Sequence, residues 1–166
     1  MPEQRTLERA RKDKREGKAP TTQAGEFVRE EIEHVRSGKH GARSAKQAIA
    51  IGLSKARKAG IDLPPPAKGK TSEKTRRSAA RAYAQGHGGH PHKTSPKRSQ
   101  AIIHALQREG HQAASSEALT RQAKQAARKR PASERSASAL KGISKRSPKE
   151  RSASARKAAR TRAQTR

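Results

Sequence analysis

Large apolar side chains are sparse along this chain, and where they gather they recur at helical spacing. In "TTQAGEFVREEIEHVRSGKHG", Ala24, Val28, Ile32 and Val35 fall on one stripe, with Phe27 at its edge. Thr21 or Thr22 is placed to cap the start of this helix and Gly38 to stop it. Its acids, Glu26, Glu30, Glu31 and Glu33, are expected on the other faces. In "GARSAKQAIAIGLSKARKAG", Ala45, Ile49, Leu53 and Ala56 share a second face. Ser44 is a good N-cap, and Gln47 three residues on completes a capping box. Gly60 ends the pattern, and Ile61 supplies the apolar contact of a Schellman stop. The prolines of "LPPPAKGK" forbid further helix.

The spacing therefore predicts an antiparallel helical hairpin, about 22–37 and 44–59, joined by "SGKHGAR". Its predicted core is Phe27, Val28, Ile32, Val35, Ile49 and Leu53. Gly52 faces the partner helix and lets it approach closely. Ile51 lies off the stripe and needs another cover: the segment at Leu63, a later helix, or a second copy of the chain in a homodimer.

Outside the hairpin the pattern loosens. Residues 1–20 read as a polar, mobile arm. "KTSEKTRRSAARAYAQG" and "KTSPKRSQAIIHALQREG" are weak repeats that each run from Lys-Thr-Ser through a helical stretch to Gly. Ser95-Pro96 is a favourable helix entry, and an Ala-faced helix is expected from about Ser116 to Lys129. The tail repeats "ERSASA" at a spacing of 16 residues, and Ser147-Pro148-Lys149-Glu150 is a second capping-box entry. The expected fold class is all-α: a small helical hairpin (21–66) after a flexible arm (1–20). Loosely packed or disordered basic helical segments follow, with repeats at 67–130 and a disordered tail at 131–166.

Composition sharpens this picture. Only 18 of 166 residues are Ile, Leu, Val, Met, Phe or Tyr, and nine of these lie between Phe27 and Leu63. Elsewhere there is too little apolar side chain to offset chain entropy. Cysteine is absent, which excludes disulfides and thiolate sites. No apolar run approaches the roughly 18 residues of a membrane span. The first residues lack an apolar signal core, and their four acids argue against a transit peptide. The expected compartment is the cytoplasm, at the bacterial nucleoid.

Charge is unevenly placed. Residues 1–38 hold nine Lys/Arg against eight Asp/Glu, a net +1; residues 39–166 hold 32 against six, a net +26. A field of that sign calls for a polyanion. With Phe27 and Tyr83 the only aromatics, binding by base stacking is disfavoured. The candidate phosphate contacts are Lys39, Arg43, Lys46, Lys55, Arg57, Lys58, Arg76, Arg77, Lys97, Arg98, Arg128, Lys129 and Arg130. Arg43 and Lys46 flank a helix N-terminus, where free N–H groups favour anions; ordinary capping by the same residues is the competing reading.

Other chemistry is thin. "HGGHPH" places His87, His90 and His92 together, but Gly-Gly and Pro leave them unfixed and no Cys or nearby carboxylate completes a site, so a linker is expected and no metal. His34 and His40 flank the hairpin turn and read as capping or surface residues. The glycine-containing stretches lack a preceding strand and phosphate-loop spacing, so no enzyme and no cofactor is expected.

The strings "TQAGEFV", "GKHGARS", "KQAIAIGLSKAR" and "LPPP" resemble the core of a family of small basic, uncharacterised bacterial proteins, variously labelled DNA-binding or plasmid-stabilisation. The resemblance covers roughly residues 15–69 and implies no catalytic residues. "SPKR" at 95–98 and the Ala/Lys/Ser tail are similar to linker-histone tails, although Glu150 breaks the second such element. The expected function is non-enzymatic, largely sequence-independent DNA binding through Lys/Arg–phosphate contacts, with no membrane partner. The alternatives are an RNA- or ribosome-associated protein, or a plasmid-maintenance or protein-interaction module carried by the hairpin.

Overall fold

The computed structural model describes residues 2–89, 95–144 and 146–164. Among them are eight α-helices and no strand: α1 (Gln4–Arg15), α2 (Pro20–Arg36), α3 (Ala45–Lys58), α4 (Glu73–Gly86), α5 (Pro96–Gln107), α6 (Ser116–Arg128), α7 (Ala132–Ser144) and α8 (Pro148–Gln164). A single 3-10 turn, Gln112–Ala114, precedes α6. The all-α fold is as expected. The chain forms two compact units, Met1–Gln122 and Ala123–Arg166.

Local signals set the helix ends. Ser44 accepts a hydrogen bond from the Gln47 N–H at 3.2 Å, and the Gln47 side chain reaches back to the Arg43 N–H at 2.9 Å. Three helices stop at a glycine with positive φ: Gly17 at 68°, Gly38 at 76° and Gly60 at 82°. At each stop the next residue donates back into the last turn: Lys18 to the Asp13 carbonyl, Lys39 to His34 and Ile61 to Ala56. These are the paired bonds of a Schellman motif, which needs the left-handed conformation that glycine adopts at no steric cost. The start of α2 departs from expectation. Neither Thr21 nor Thr22 caps it; the helix opens at Pro20 behind Ala19 with no side-chain cap. Proline is favoured there because its missing N–H has no helical partner in any case.

Packing in the first unit relies on small residues. Phe27 is fully buried against Ala10, Ala24, Ala56 and Ile61, with Leu7, Leu53 and Leu63 at the margin. A second cluster joins Val35 to Ala42, Ala48, Ala113 and Ala114, with Ile32 beside it. Val28, Ile49 and Leu53, expected in the core, are half-buried, because alanine and glycine fill the helix crossing. Gly52 makes that crossing possible: a Cβ there would stand 2.7 Å from the Val28 Cα and 2.9 Å from the Phe27 carbonyl oxygen. Burying Phe27 is worth roughly 1.5–3 kcal/mol, which makes it the largest single apolar contribution in this unit.

The unit is larger than the hairpin. Residues 4–15, expected in a mobile arm, form α1, which packs on α2 through Thr6, Leu7, Ala10 and Asp13. Helix α4 packs on α3, burying Ala79 and Ala82, and Ile51 is half-buried within the one chain. The last turn of α5 and the stretch after it meet the hairpin connector, where Gly41 N–H donates to the Leu106 carbonyl at 2.9 Å and Ala42 N–H to the Gly110 carbonyl at 3.1 Å. Gly41 has the Glu109 carbonyl against its Cα, leaving no room for a side chain.

The second unit is different in kind. Helices α7 and α8 have no buried residue, and Leu140 and Ile143 are exposed. The entry of α8 is a complete capping box: Ser147 Oγ accepts from the Glu150 N–H at 3.3 Å, and Glu150 Oε2 accepts from the Ser147 N–H at 2.8 Å.

Candidate nucleic-acid interface

Thirteen Lys and Arg positions were singled out above as phosphate contacts, and the structure divides them. Lys55 is not on a basic edge. It projects between the hairpin helices, with Nζ 2.7 Å from Glu31 Oε2 and 3.3 Å from Glu30 Oε1, and both carboxylates are buried. Arg57 is also buried: its Nε donates to the Leu63 carbonyl at 2.9 Å, tying the proline segment to α3. Burial pushes its guanidinium below the ordinary value. These two cations are structural, a correction to the expected edge of α3.

Others are exposed, or half-buried in the case of Arg76, but already paired. Lys39 stands 2.8 Å from Glu3 Oε1, beside His34 Nε2 at the same distance. Hydrogen bonds from Lys39 and then His34 hold the Glu3 carboxyl down at about 2. Arg76 takes Glu73 in a bidentate grip at 2.9 and 2.7 Å, and Arg77 joins it at 3.2 Å. The Arg76 hydrogen bond lowers the Glu73 pKa first of all. Arg43 is highly exposed and touches Glu109 only at 3.4 Å.

Lys46, Lys58, Lys97 and Arg98 are exposed in the first unit, and none faces a carboxylate within ion-pair distance among the described residues. Lys46 and Lys58 lie at opposite ends of α3, about 18 Å apart and turned by about 120°. They do not make one continuous edge. At the N-terminus of α3 the Gln47 N–H is taken by Ser44 and the Gln47 side chain holds the preceding Arg43 N–H, so ordinary capping is realised there.

Arg128, Lys129 and Arg130 are exposed in the second unit. Residues 123–166 carry 15 Lys/Arg against two carboxylates, Glu134 and Glu150, and Glu150 serves the α8 cap. Further exposed cations there, Arg135, Lys141, Lys149, Arg151, Arg156, Lys157, Arg160 and Arg162, were not singled out as sites. The signal for them was compositional: Arg/Lys scattered in an Ala/Ser background with no acid three or four residues away on most turns.

Residues 13–68 match the model described as Family of unknown function (DUF6496). The match runs from the last turn of α1 through the hairpin to the end of the proline segment, close to the span of the resemblance noted in the sequence. It assigns no function, and neither DNA binding nor plasmid stabilisation follows from it. No curated protein and no solved structure matches the chain. No helix among the described residues is long and apolar enough to cross a membrane.

Two histidine groups bear on metal chemistry. In "HGGHPH", His87 stacks on Tyr83 with ring centres 4.0 Å apart, while His90 and His92 lie outside the described residues. At the hairpin turn, Glu31, His34 and His40 bring three ligand-type atoms within 4.8 Å of one another. Sequence reasoning placed Glu31 on an outer face and the two histidines at the surface. The overlooked signal was Glu31-x-x-His34, a spacing that puts both side chains on one face of a helix.

Proposed function

We propose that this is a non-enzymatic, largely sequence-independent DNA-binding protein of the bacterial nucleoid, acting through Lys/Arg–phosphate contacts. One observation carries the reading: residues 123–166 pair 15 cations with two carboxylates, and helices α7 and α8 within them bury nothing. Solubility needs a far smaller excess than this. Helices of 13 and 17 residues with no packed face are marginal alone in water. A polyanion neutralises their mutual repulsion and so favours the helical form. Exposed Lys46, Lys58, Lys97 and Arg98 of the first unit would add contacts to a strand already held by the tail. Plasmid maintenance, the narrower label carried by the resemblance, would be one setting for such a protein.

The test compares duplex-DNA binding by the full chain and by a chain ending at Gln122, across a salt series. Affinity should fall steeply with salt and ignore sequence, with a log–log slope of about 0.9 per phosphate neutralised. Residues 123–166 hold 15 of the 41 Lys/Arg, yet many cations of the first unit are paired with acids or carbonyls. More than half of the slope should therefore go with the truncation. A loss of no more than a third would refute the assignment to the tail. Structured RNA outcompeting duplex DNA at equal salt would replace DNA with RNA as the partner.

A further inference from the structure

Among the described residues the least comfortable group is the Glu31 carboxylate. Its side chain is 1% exposed. Lys55 Nζ lies 2.7 Å from Oε2 and His40 Nε2 lies 3.3 Å from Oε1, but neither approach has hydrogen-bond geometry, so both oxygens are buried without a directed donor. Buried carboxylate oxygens are costly in that state.

The neighbouring imidazole explains what is missing. His40 Nδ1 lies 3.0 Å from the Gly41 carbonyl oxygen. A carbonyl only accepts, so Nδ1 carries the proton and a neutral ring directs the bare lone pair of Nε2 at Glu31 Oε1. Two lone pairs facing each other require either a proton or a cation between them. The separation favours a cation. A charge-assisted N–H···O bond closes to about 2.7–2.9 Å. Two ligand atoms on one tetrahedral zinc, each about 2.0–2.1 Å from the ion, stand about 3.3 Å apart.

We propose that Glu31, His34 and His40 bind one divalent transition-metal ion of the zinc class, fastening the hairpin connector to α2. Two imidazoles and a carboxylate are a common zinc donor set, with the fourth position open to water. The three ligand atoms fall within 4.8 Å, so a swing of the His34 ring by about 1–1.5 Å completes the set. The supporting groups are in place. The Gly41 carbonyl orients His40, the Lys55 ammonium faces the outer oxygen of Glu31 as a point charge, and Glu3 Oε1 sits 2.8 Å from His34 Nε2. Lys55 is shared between Glu30 and Glu31, so its single positive charge faces two buried carboxylates. An open cleft of about 350 Å³ reaches His34, the outermost of the three ligands, with Arg5, Arg9, Arg29 and Lys39 beside Glu3, Glu30 and Glu33 on its walls.

The experiment titrates the metal-free full chain with zinc chloride, following bound zinc, the thermal midpoint and the imidazole nitrogen signals of His34 and His40. A chain with His87, His90 and His92 all changed to Ala serves beside the wild type, because that histidine-rich stretch is the rival zinc binder. The expected result is one tight zinc per chain in both, a midpoint that rises with zinc concentration, and zinc-dependent shifts of both histidines. His40→Ala and His34→Ala should each weaken binding by at least about tenfold while keeping the helical spectrum. Glu31→Gln adds a third variant if it folds. The proposal is overturned if zinc binding disappears with the triple substitution, survives His40→Ala, or leaves the His40 signals unmoved while Nε2 carries a proton.

Discussion

Gly52→Ala tests the helix crossing on which the first unit rests. Alanine normally improves a helix over glycine by about 1 kcal/mol. At Gly52 its Cβ would stand 2.7 Å from the Val28 Cα, 2.9 Å from the Phe27 oxygen and 3.0 Å from the Val28 nitrogen, where ordinary contact begins at 3.4 Å. All three atoms are backbone, so no rotamer change relieves the clash and the helices must part by about 1 Å. Overpacking of this kind costs about 1–3 kcal/mol. Parting also loosens Phe27, which is packed in the same crossing. The net expectation is a loss of about 1–2 kcal/mol. Gly25 provides the control. It is exposed on α2 with nothing near its would-be Cβ, so Gly25→Ala should gain about 0.5–1 kcal/mol. Thermal and urea unfolding followed by far-ultraviolet circular dichroism will separate the two, since each kcal/mol moves the midpoint by roughly 4–8 °C in a small domain. If Gly52→Ala stabilises as much as Gly25→Ala, the close crossing is wrong.

Three further outcomes are expected. Arg57→Ala should lower the stability of the full chain by about 1–2 kcal/mol, because the half-buried Leu63 carbonyl loses its donor, while DNA affinity barely changes; an affinity loss without destabilisation would return Arg57 to the interface. Ser147→Ala should cost α8 about 1 kcal/mol, seen as reduced helicity at the tail amides by NMR, with α2 and α3 unaffected. Glu3 is held at about 2 against an ordinary 4.5, so its contribution is present above pH 4.5 and fades as pH falls toward 2. Amide protection in α1, measured against the intrinsic rate at each pH, should therefore fall over that window, and Glu3→Gln should show the lower protection already at neutral pH; an unchanged profile in the variant would mean that Glu3 does not hold α1.

The hairpin was legible because its signals are local. Ser44 with Gln47, and the glycines at 38 and 60, act on the turn they belong to, and each does in the structure what its position implies. Gly52 was legible for a related reason: one small residue on an apolar stripe has few other uses. Helix α1 was missed because its packed face includes Thr6 and Asp13, so the apolar pattern is broken by residues whose burial only the partner helix explains. The fates of Lys55 and Arg57 were hidden in the same way. On α3 both look like ordinary members of a basic run, and only the acids of α2 and the carbonyls after Leu63 distinguish them. Glu31 is the sharpest case. Its sequence neighbourhood is acidic and polar, which suggests a solvated face, yet its partners come from the connector and from α3.

These misreadings have a common physical origin, and it bears on function. A charge read from sequence counts equally wherever it falls, but a phosphate responds only to cations that no carboxylate or carbonyl already holds. In the first unit, Lys55, Arg57, Arg76 and Lys39 are engaged by Glu31, the Leu63 carbonyl, Glu73 and Glu3 respectively. Of these, Lys55 and Arg57 tie buried parts of the unit together, while the surface pairs of Arg76 and Lys39 contribute little to stability and chiefly occupy the cation. In residues 123–166 the two carboxylates cannot perform that service for 15 cations, and there is no packed face that would require it. The same residue types thus serve two purposes. Interleaved with acids they hold small helices together, and nearly free of acids they present an uncompensated field to solution. The boundary between these uses follows the local supply of carboxylates, and the charge asymmetry of the sequence marks that boundary even where the neighbours of individual cations are hidden.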